Sequence, residues 1–188
     1  MRPLHQYLVK PVDGRRYDNT KEMGGIEIIT STSEEDHNFS NRYAEVVALP
    51  LTGNTSGVKV GDILLVHHNV FKFYNDMKGR RKSGKSFLKE DLFLIDPDQF
   101  YMYKRNNEWY AYDRYCFVKP IKMKEDKYIS SNGLEPLTGV LTHPNDYLLS
   151  QGLKRGDEIK FAPDSEYEFI NDSEIYYRVY DHMITIKI

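Results

Sequence analysis

The chain has 188 residues, 40% of them hydrophobic and 29% charged, a balance that excludes disorder of the whole chain and allows one large or two small cores. A formal charge of -2 excludes a global electrostatic pull toward nucleic acid or anionic membrane, and the single thiol, Cys116, cannot form an intrachain disulfide. No window has the length and apolarity of a membrane span, and Met1-Arg2-Pro3-Leu4-His5 opens no apolar run, so a cytoplasmic location is expected. Fifteen Tyr against one Trp, together with many Ile and Val, tilt the class toward β.

In chain order, Tyr7-Leu8-Val9-Lys10-Pro11-Val12 predicts a short apolar strand stopped at Lys-Pro. Residues 13–42 form a polar segment, rich in Asp, Asn, Thr, Ser and Glu, that carries Gly24, Gly25, Ile26, Glu27, Ile28 and Ile29 at its centre. Two readings of that cluster stand side by side: an ordinary strand with Ile26 and Ile28 inward, or an exposed apolar binding element on a tether. Ala44-Glu45-Val46-Val47-Ala48 predicts the next strand, and Gly61-Asp62 a tight turn feeding Ile63-Leu64-Leu65. His67 and His68 are read as adjacent on a strand, pointing to opposite faces and unable to share a metal. Val70-Phe71-Lys72-Phe73 alternates as a strand would, and residues 71–87 predict an extended hairpin through Gly79 and Gly84.

The second half repeats the first. Cys116-Phe117-Val118-Lys119-Pro120-Ile121 matches the opening strand, Thr138-Gly139-Val140-Leu141-Thr142 matches residues 44–48, and Leu153-Lys154-Arg155-Gly156-Asp157-Glu158-Ile159 matches Val58-Lys59-Val60-Gly61-Asp62-Ile63. The aromatic run of residues 93–103 has its counterpart in residues 177–186, and Ile184-Thr185-Ile186-Lys187-Ile188 alternates as a strand with one face buried and the other wet. The expected organisation is one all-β unit written twice, residues 1–110 and 111–188, each a small barrel of short antiparallel strands. The only helical turn expected follows Pro144.

Several motifs invite chemistry. Gly79-Arg80-Arg81-Lys82-Ser83-Gly84-Lys85-Ser86 satisfies the Gly-x4-Gly-Lys-Ser pattern of a phosphate-binding loop, but the segment before Asp96 is too short for the helix such a loop requires. A solvated hairpin tip is expected, with Arg80, Arg81, Lys82 and Lys85 available to an anionic partner and no aromatic at the tip to stack bases. Nucleic acid is not an expected partner. Cys116 beside Phe117 reads as a core thiol. No paired carboxylates, nucleophile–base arrangement or metal-ligand spacing emerges, so no catalytic residue, metal or cofactor is expected.

Arg2-Pro3-Leu4-His5, Val9-Lys10, Gly24-Gly25-Ile26, Ala44-Glu45-Val46-Val47-Ala48 and Val58-Lys59-Val60-Gly61-Asp62-Ile63-Leu64-Leu65 resemble, in order and spacing, the chaperonin-10 (GroES-type) co-chaperonins. The resemblance covers most of the first half, and the second half looks like a degenerate copy. It implies two tandem GroES-like small β-barrels, a homo-oligomer in the form of a ring, and a loop whose Gly24 to Ile29 stretch docks on a large, GroEL-type chaperonin ring. Glu27 stands where that family places an apolar residue, and residues 123–134 hold no second copy of the loop. Residues 2–10 and 99–104 would be the ring contacts, and ATP would be hydrolysed by the partner. A second reading of the same resemblance is a structural protein of a virus particle that reuses the barrel as a building block.

Overall fold

The computed structural model describes residues 1–17, 20–23, 26–29, 40–53, 55, 57–123, 133–171 and 174–188. The protein is mostly β-sheet and divides into two compact units, Met1–Glu108 and Trp109–Ile188.

In the first unit the strands are β1 (Tyr7–Pro11), β2 (Thr20–Met23), β3 (Ile26–Ile29), β4 (Tyr43–Ala48), β5 (Ile63–Val66), β6 (Phe73–Asn75), β7 (Arg81–Ser83), β8 (Phe87–Lys89), β9 (Leu92–Ile95) and β10 (Phe100–Arg105). A short strand, β11 (Glu108–Ala111), straddles the division. The second unit contains β12 (Tyr115–Lys122), β13 (Leu134–His143), helix α1 (Asp146–Ser150), β14 (Glu158–Phe161), β15 (Tyr167–Asn171), β16 (Glu174–Tyr180) and β17 (Ile184–Lys187).

The first main sheet runs β11-β10-β5-β4-β1-β9-β8, and the second runs β17-β14-β13-β12-β16-β15. Leaving β11 aside, the two orders are the same when the six strands of each main sheet are numbered in turn. Register agrees as well, with one correction: Lys10 faces Glu45 and Pro11 faces Ala44, as Lys119 faces Val140 and Pro120 faces Gly139, so Ala44 corresponds to Gly139 and the sequence match of residues 44–48 to 138–142 shifts by one. Each opening strand slips at the same place, between Leu8 and Val9 and between Phe117 and Val118. A β-bulge kept in both copies re-aims the strand at one point along the sheet.

The Gly-Asp turns explain why both copies build the same corner. Gly61 has φ of 88° and Gly156 of 95°, a backbone region that penalises any side chain. Asp62 then accepts the Lys59 amide at 2.7 Å, and Asp157 accepts the Lys154 amide at 2.8 Å, closing the turn from the side chain. Gly61 and Gly156 in turn donate to the carbonyls of Val46 and Leu141, 2.9 and 2.8 Å away.

Each unit has its own core, in which every fully buried aliphatic or aromatic side chain contributes on the order of 1.5–3 kcal/mol. In the first, Tyr7 meets Phe100 edge-on at 5.1 Å and Phe71 meets Phe93 at 4.8 Å, over a floor of Val9, Leu64 and Ile95. In the second, Cys116, Val118, Leu141, Ile159, Phe161 and Val179 pack together, and Leu148 of α1 plugs the cluster. Asn145 starts that helix by accepting the Leu148 amide, and its own amide donates to Asp181.

Four expectations change. Hydrogen bonding does not close either sheet into a barrel: among the described residues β8 and β15 remain edge strands, short or charged, which is how open edges are kept from pairing. Val70 and Phe71 do not start a strand. They lie in a turn closed by Val70 N–H on the His67 carbonyl, and both side chains are fully buried there. Ile186 and Ile188 alternate as expected but remain more than half exposed. Finally, β1 pairs with β4 from Leu8 to Pro11 and with β9 from Tyr7 to Val9, so at Leu8 and Val9 both of its edges are taken up within its own unit.

Candidate functional site

Two excursions leave the repeated framework of the first unit. One is residues 18–39, of which β2 and β3 are described; the other is the β6–β7 ribbon. Each forms a two-stranded sheet of its own.

In the first excursion β3 pairs antiparallel with β2, Met23 opposite Ile26, Glu22 opposite Glu27, Lys21 opposite Ile28 and Thr20 opposite Ile29. Ile26, Glu27, Ile28 and Ile29 are therefore strand residues of a separate ribbon, while Gly24 and Gly25 lie outside the described residues. The base of the excursion is clamped. Tyr17 bridges Ser40, and the Asn41 amide donates to the carbonyls of Val12 at 3.1 Å and Arg15 at 2.7 Å while its oxygen accepts Tyr43 N–H at 2.8 Å. Ser40 Oγ donates to the His68 carbonyl at 2.7 Å. Asn41 and Ser40 are both buried.

In the second excursion β6 and β7 pair Phe73 with Ser83, Tyr74 with Lys82 and Asn75 with Arg81. The turn between them is built on Asp76, whose Oδ1 accepts the amides of Lys78 and Arg80, both at 2.9 Å. The Arg80 amide first, against the opposing effect of burial, and then the Lys78 amide and Lys82 hold the Asp76 carboxyl below its ordinary value. Arg80 is exposed in this turn, Arg81 and Lys82 sit on β7, and Lys85 is exposed just before β8.

The two excursions share one root. The Phe73 amide donates to Tyr17 Oη at 2.8 Å, and the two rings stack at 6.0 Å. Arg16 lies over Phe73, Phe87 and Phe93 at 4.2 to 4.8 Å and donates to Ser83 Oγ at 2.9 Å, while Arg81 covers Phe73 at 3.7 Å. Burial lowers the Arg16 pKa, Asp91 opposes that, and the charge of Arg81 lowers it further. Cation–π contact thus holds two guanidinium groups at the Phe73 ring, and the Ser83 hydroxyl fixes one of them, Arg16. The sequence announces the basic residues, but not Arg16, Tyr17 or Asn41, which reach Ser83, Phe73 and Arg15 at 67, 56 and 26 positions away.

Other sequence candidates resolve differently. The segment after Lys85-Ser86 is strand β8, with no helix to cradle phosphate. His67 and His68 do not face opposite ways: β5 ends at Val66, and in the turn that follows the two rings stand 4.0 Å apart. Among the described residues no cluster of three His, Cys, Asp or Glu side chains could hold a metal. Cys116 is fully buried, its Sγ donates to the Val179 carbonyl at 3.2 Å, and burial, with Asp181 second, pushes its pKa up to about 12. Among the described residues no helix is long and apolar enough to cross a membrane.

No protein-family model matches this chain, and no curated protein matches its sequence.

Proposed function

We propose that this protein is a non-enzymatic co-chaperonin-like assembly component, two GroES-like units in one chain, that binds and caps a large chaperonin ring through the Gly24 to Ile29 segment. One observation carries the reading: Ile26-Glu27-Ile28-Ile29 belongs to a ribbon inserted between β1 and β4 that pairs with no main sheet among the described residues. An apolar triplet carried on a separate projection is a docking element, and repetition around an oligomer multiplies its affinity through effective concentration. Asn41, Ser40 and Tyr17 give that projection a fixed base. In this reading the protein works in the compartment of its chaperonin, cytoplasm or organelle stroma, and needs no cofactor of its own.

The test is a sizing experiment with a chaperonin ring and ADP or ATP. A nucleotide-dependent complex with the wild type that disappears with Ile26→Ser plus Ile28→Ser supports the proposal; absence of any complex with the host's own chaperonin overturns it. The second reading, a structural protein of a virus particle, is favoured by the regular strand pairing of β3, which suits a fixed building element as well as a docking one. Presence of the chain in purified particles, with no chaperonin complex, would decide for it.

A further inference from the structure

The two units differ most in charge, and they differ at corresponding places. Residues 72–89 hold seven Lys and Arg against Asp76 alone, a net +6, so the remaining 170 residues carry -8. Residues 164–174 hold Asp164, Glu166, Glu168, Asp172 and Glu174 with no Lys or Arg, a net -5. The basic stretch runs from the β6–β7 ribbon into β8, the outermost strand of the first unit's main sheet; the acidic stretch runs through β15, the outermost strand of the second. The repeat has therefore placed opposite charge on equivalent sheet edges.

Charged side chains of both stretches face solvent. Lys78, Arg80, Arg81, Lys82, Lys85 and Lys89 are exposed, as are Asp164, Glu166 and Glu168. Some of the charge is committed locally: Lys82 lies 3.5 Å from Asp76, and Glu174 is held by Lys119 at 2.7 Å and by the Tyr176 hydroxyl at 2.9 Å. Among the described residues the Glu166 carboxylate accepts its neighbour's amide, Ser165 N–H, at 3.2 Å. The acidic field is felt nearby: burial first, then Glu168 and Glu166, raise the pKa of the Tyr177 phenol.

We propose that the acidic β15 edge is a docking surface for a second copy of this chain, which presents its basic β6–β8 segment to it. β15 pairs with β16 on one side, and its other side is unpaired among the described residues. An open strand edge invites another strand, and side-chain charge decides which strand can approach. Like edges repel: acidic cannot meet acidic, nor basic meet basic, so a two-fold contact of either edge with itself is disfavoured. Basic on acidic is the arrangement that remains. Because one chain carries both halves, the contact is heterologous and propagates head to tail, closing into a ring or continuing as a filament according to its rotation. The inference uses neither the Ile26 to Ile29 segment nor a chaperonin, so it stands or falls apart from the function proposed above.

The experiment is sedimentation of the full chain over a range of concentration, at about 0.05 M and about 0.5 M salt, because contacts between exposed charges are screened as salt rises. Expected is association at low salt that weakens about tenfold or more at high salt. Arg80→Glu with Lys85→Glu should be monomeric alone, as should Glu166→Lys with Glu168→Lys, and an equimolar mixture of the two variants should associate again. Recovery in the mixture shows that both variants are folded and that charge pairing drives the contact. A wild type that stays monomeric at low salt, variants that associate as the wild type does, or a mixture that stays monomeric would each overturn the proposal.

Discussion

Arg105 grips both oxygens of Asp62: its Nε donates to Oδ1 at 2.9 Å, and its Nη2 reaches Oδ2 and also the Gly57 carbonyl. Asp62 already closes the Gly61 turn through the Lys59 amide, so one buried carboxylate ties the turn, β5 and the end of β10 together. Asp157 does the same work in the second unit with Lys187 of β17 at 2.6 Å, and the ammonium also donates to the Gly152 carbonyl at 3.4 Å, but it meets the carboxylate at one oxygen where the guanidinium makes a fork. Hydrogen bonding from Lys187 first, then the Lys154 amide, depresses the Asp157 pKa.

Removing the two carboxylates should therefore have unequal effects. Asp62→Ala leaves the Lys59 amide and a part-buried guanidinium without their acceptor and is expected to cost about 2 kcal/mol. Asp157→Ala, at a more exposed pair, should cost less. Denaturant midpoints of the two variants measure the difference; equal losses would show that the fork adds nothing.

How much of this was legible in the sequence depends on how local each cause is. The paired Gly-Asp turns, the Lys-Pro strand ends and the aromatic closing runs are written within a few residues, so the repeat can be read directly. Val70, Phe71, His67 and His68 mislead because the strand stops at Val66, and the turn that follows buries two neighbouring side chains and brings two rings to 4.0 Å of each other. The candidate site was legible in part. Ile26, Ile28 and Ile29 stand out among polar neighbours, yet their strand partner, Thr20-Lys21-Glu22-Met23, has no alternation to betray it. The root at Arg16, Tyr17 and Asn41 depends on carbonyls, rings and hydroxyls far along the chain, which no local pattern encodes.

That root should matter to stability. Asn41 satisfies two carbonyls and one amide while buried, so Asn41→Ala is expected to lower stability by about 2 kcal/mol through groups left unpaired. Asn41→Asp keeps the acceptor for Tyr43 N–H but loses both donors, and should fall at or below the alanine variant. A midpoint for either within error of the wild type would remove Asn41 as the clamp.

Gly139 faces Pro120 across β12 and β13, and a Cβ there would stand 2.4 Å from Val118 Cγ1 and 2.7 Å from the Lys119 carbonyl. The corresponding residue of the first unit is Ala44, opposite Pro11, so the closer approach belongs to the second copy alone. Gly139→Ala should cost about 1–3 kcal/mol by overpacking. Cys116 supplies the readout: its buried thiol, with a pKa pushed up to about 12, should react with an alkylating reagent only when the second unit opens. Faster labelling in the variant is expected, and an unchanged rate would mean that the strands can separate without loss.

His143 gives the second unit a pH dependence with a definite sign. Its ring is mostly buried, packed edge-on against Phe117 at 6.2 Å and near Tyr176 at 6.1 Å, with Nδ1 3.1 Å from Thr142 Oγ1. Burial first, and the charge of Arg155 second, lower its pKa from 6.5 to about 4. The folded state thus binds the proton less readily than the unfolded chain, so the stability tied to neutral His143 is complete above pH 6.5 and is lost as pH falls toward 4. The loss over that window is on the order of 3 kcal/mol. Asp181 behaves differently: burial alone would raise it, but Arg114 and Asn145 hydrogen bonds and the Arg114 charge leave its pKa below the ordinary carboxylate value, so its contribution persists until more acid conditions. His143→Gln should flatten Cys116 labelling rates between pH 6.5 and pH 4 after correction for the reagent's own pH dependence, leaving the acid loss due to carboxylates. If the variant keeps the full slope in that range, the proton is taken up elsewhere.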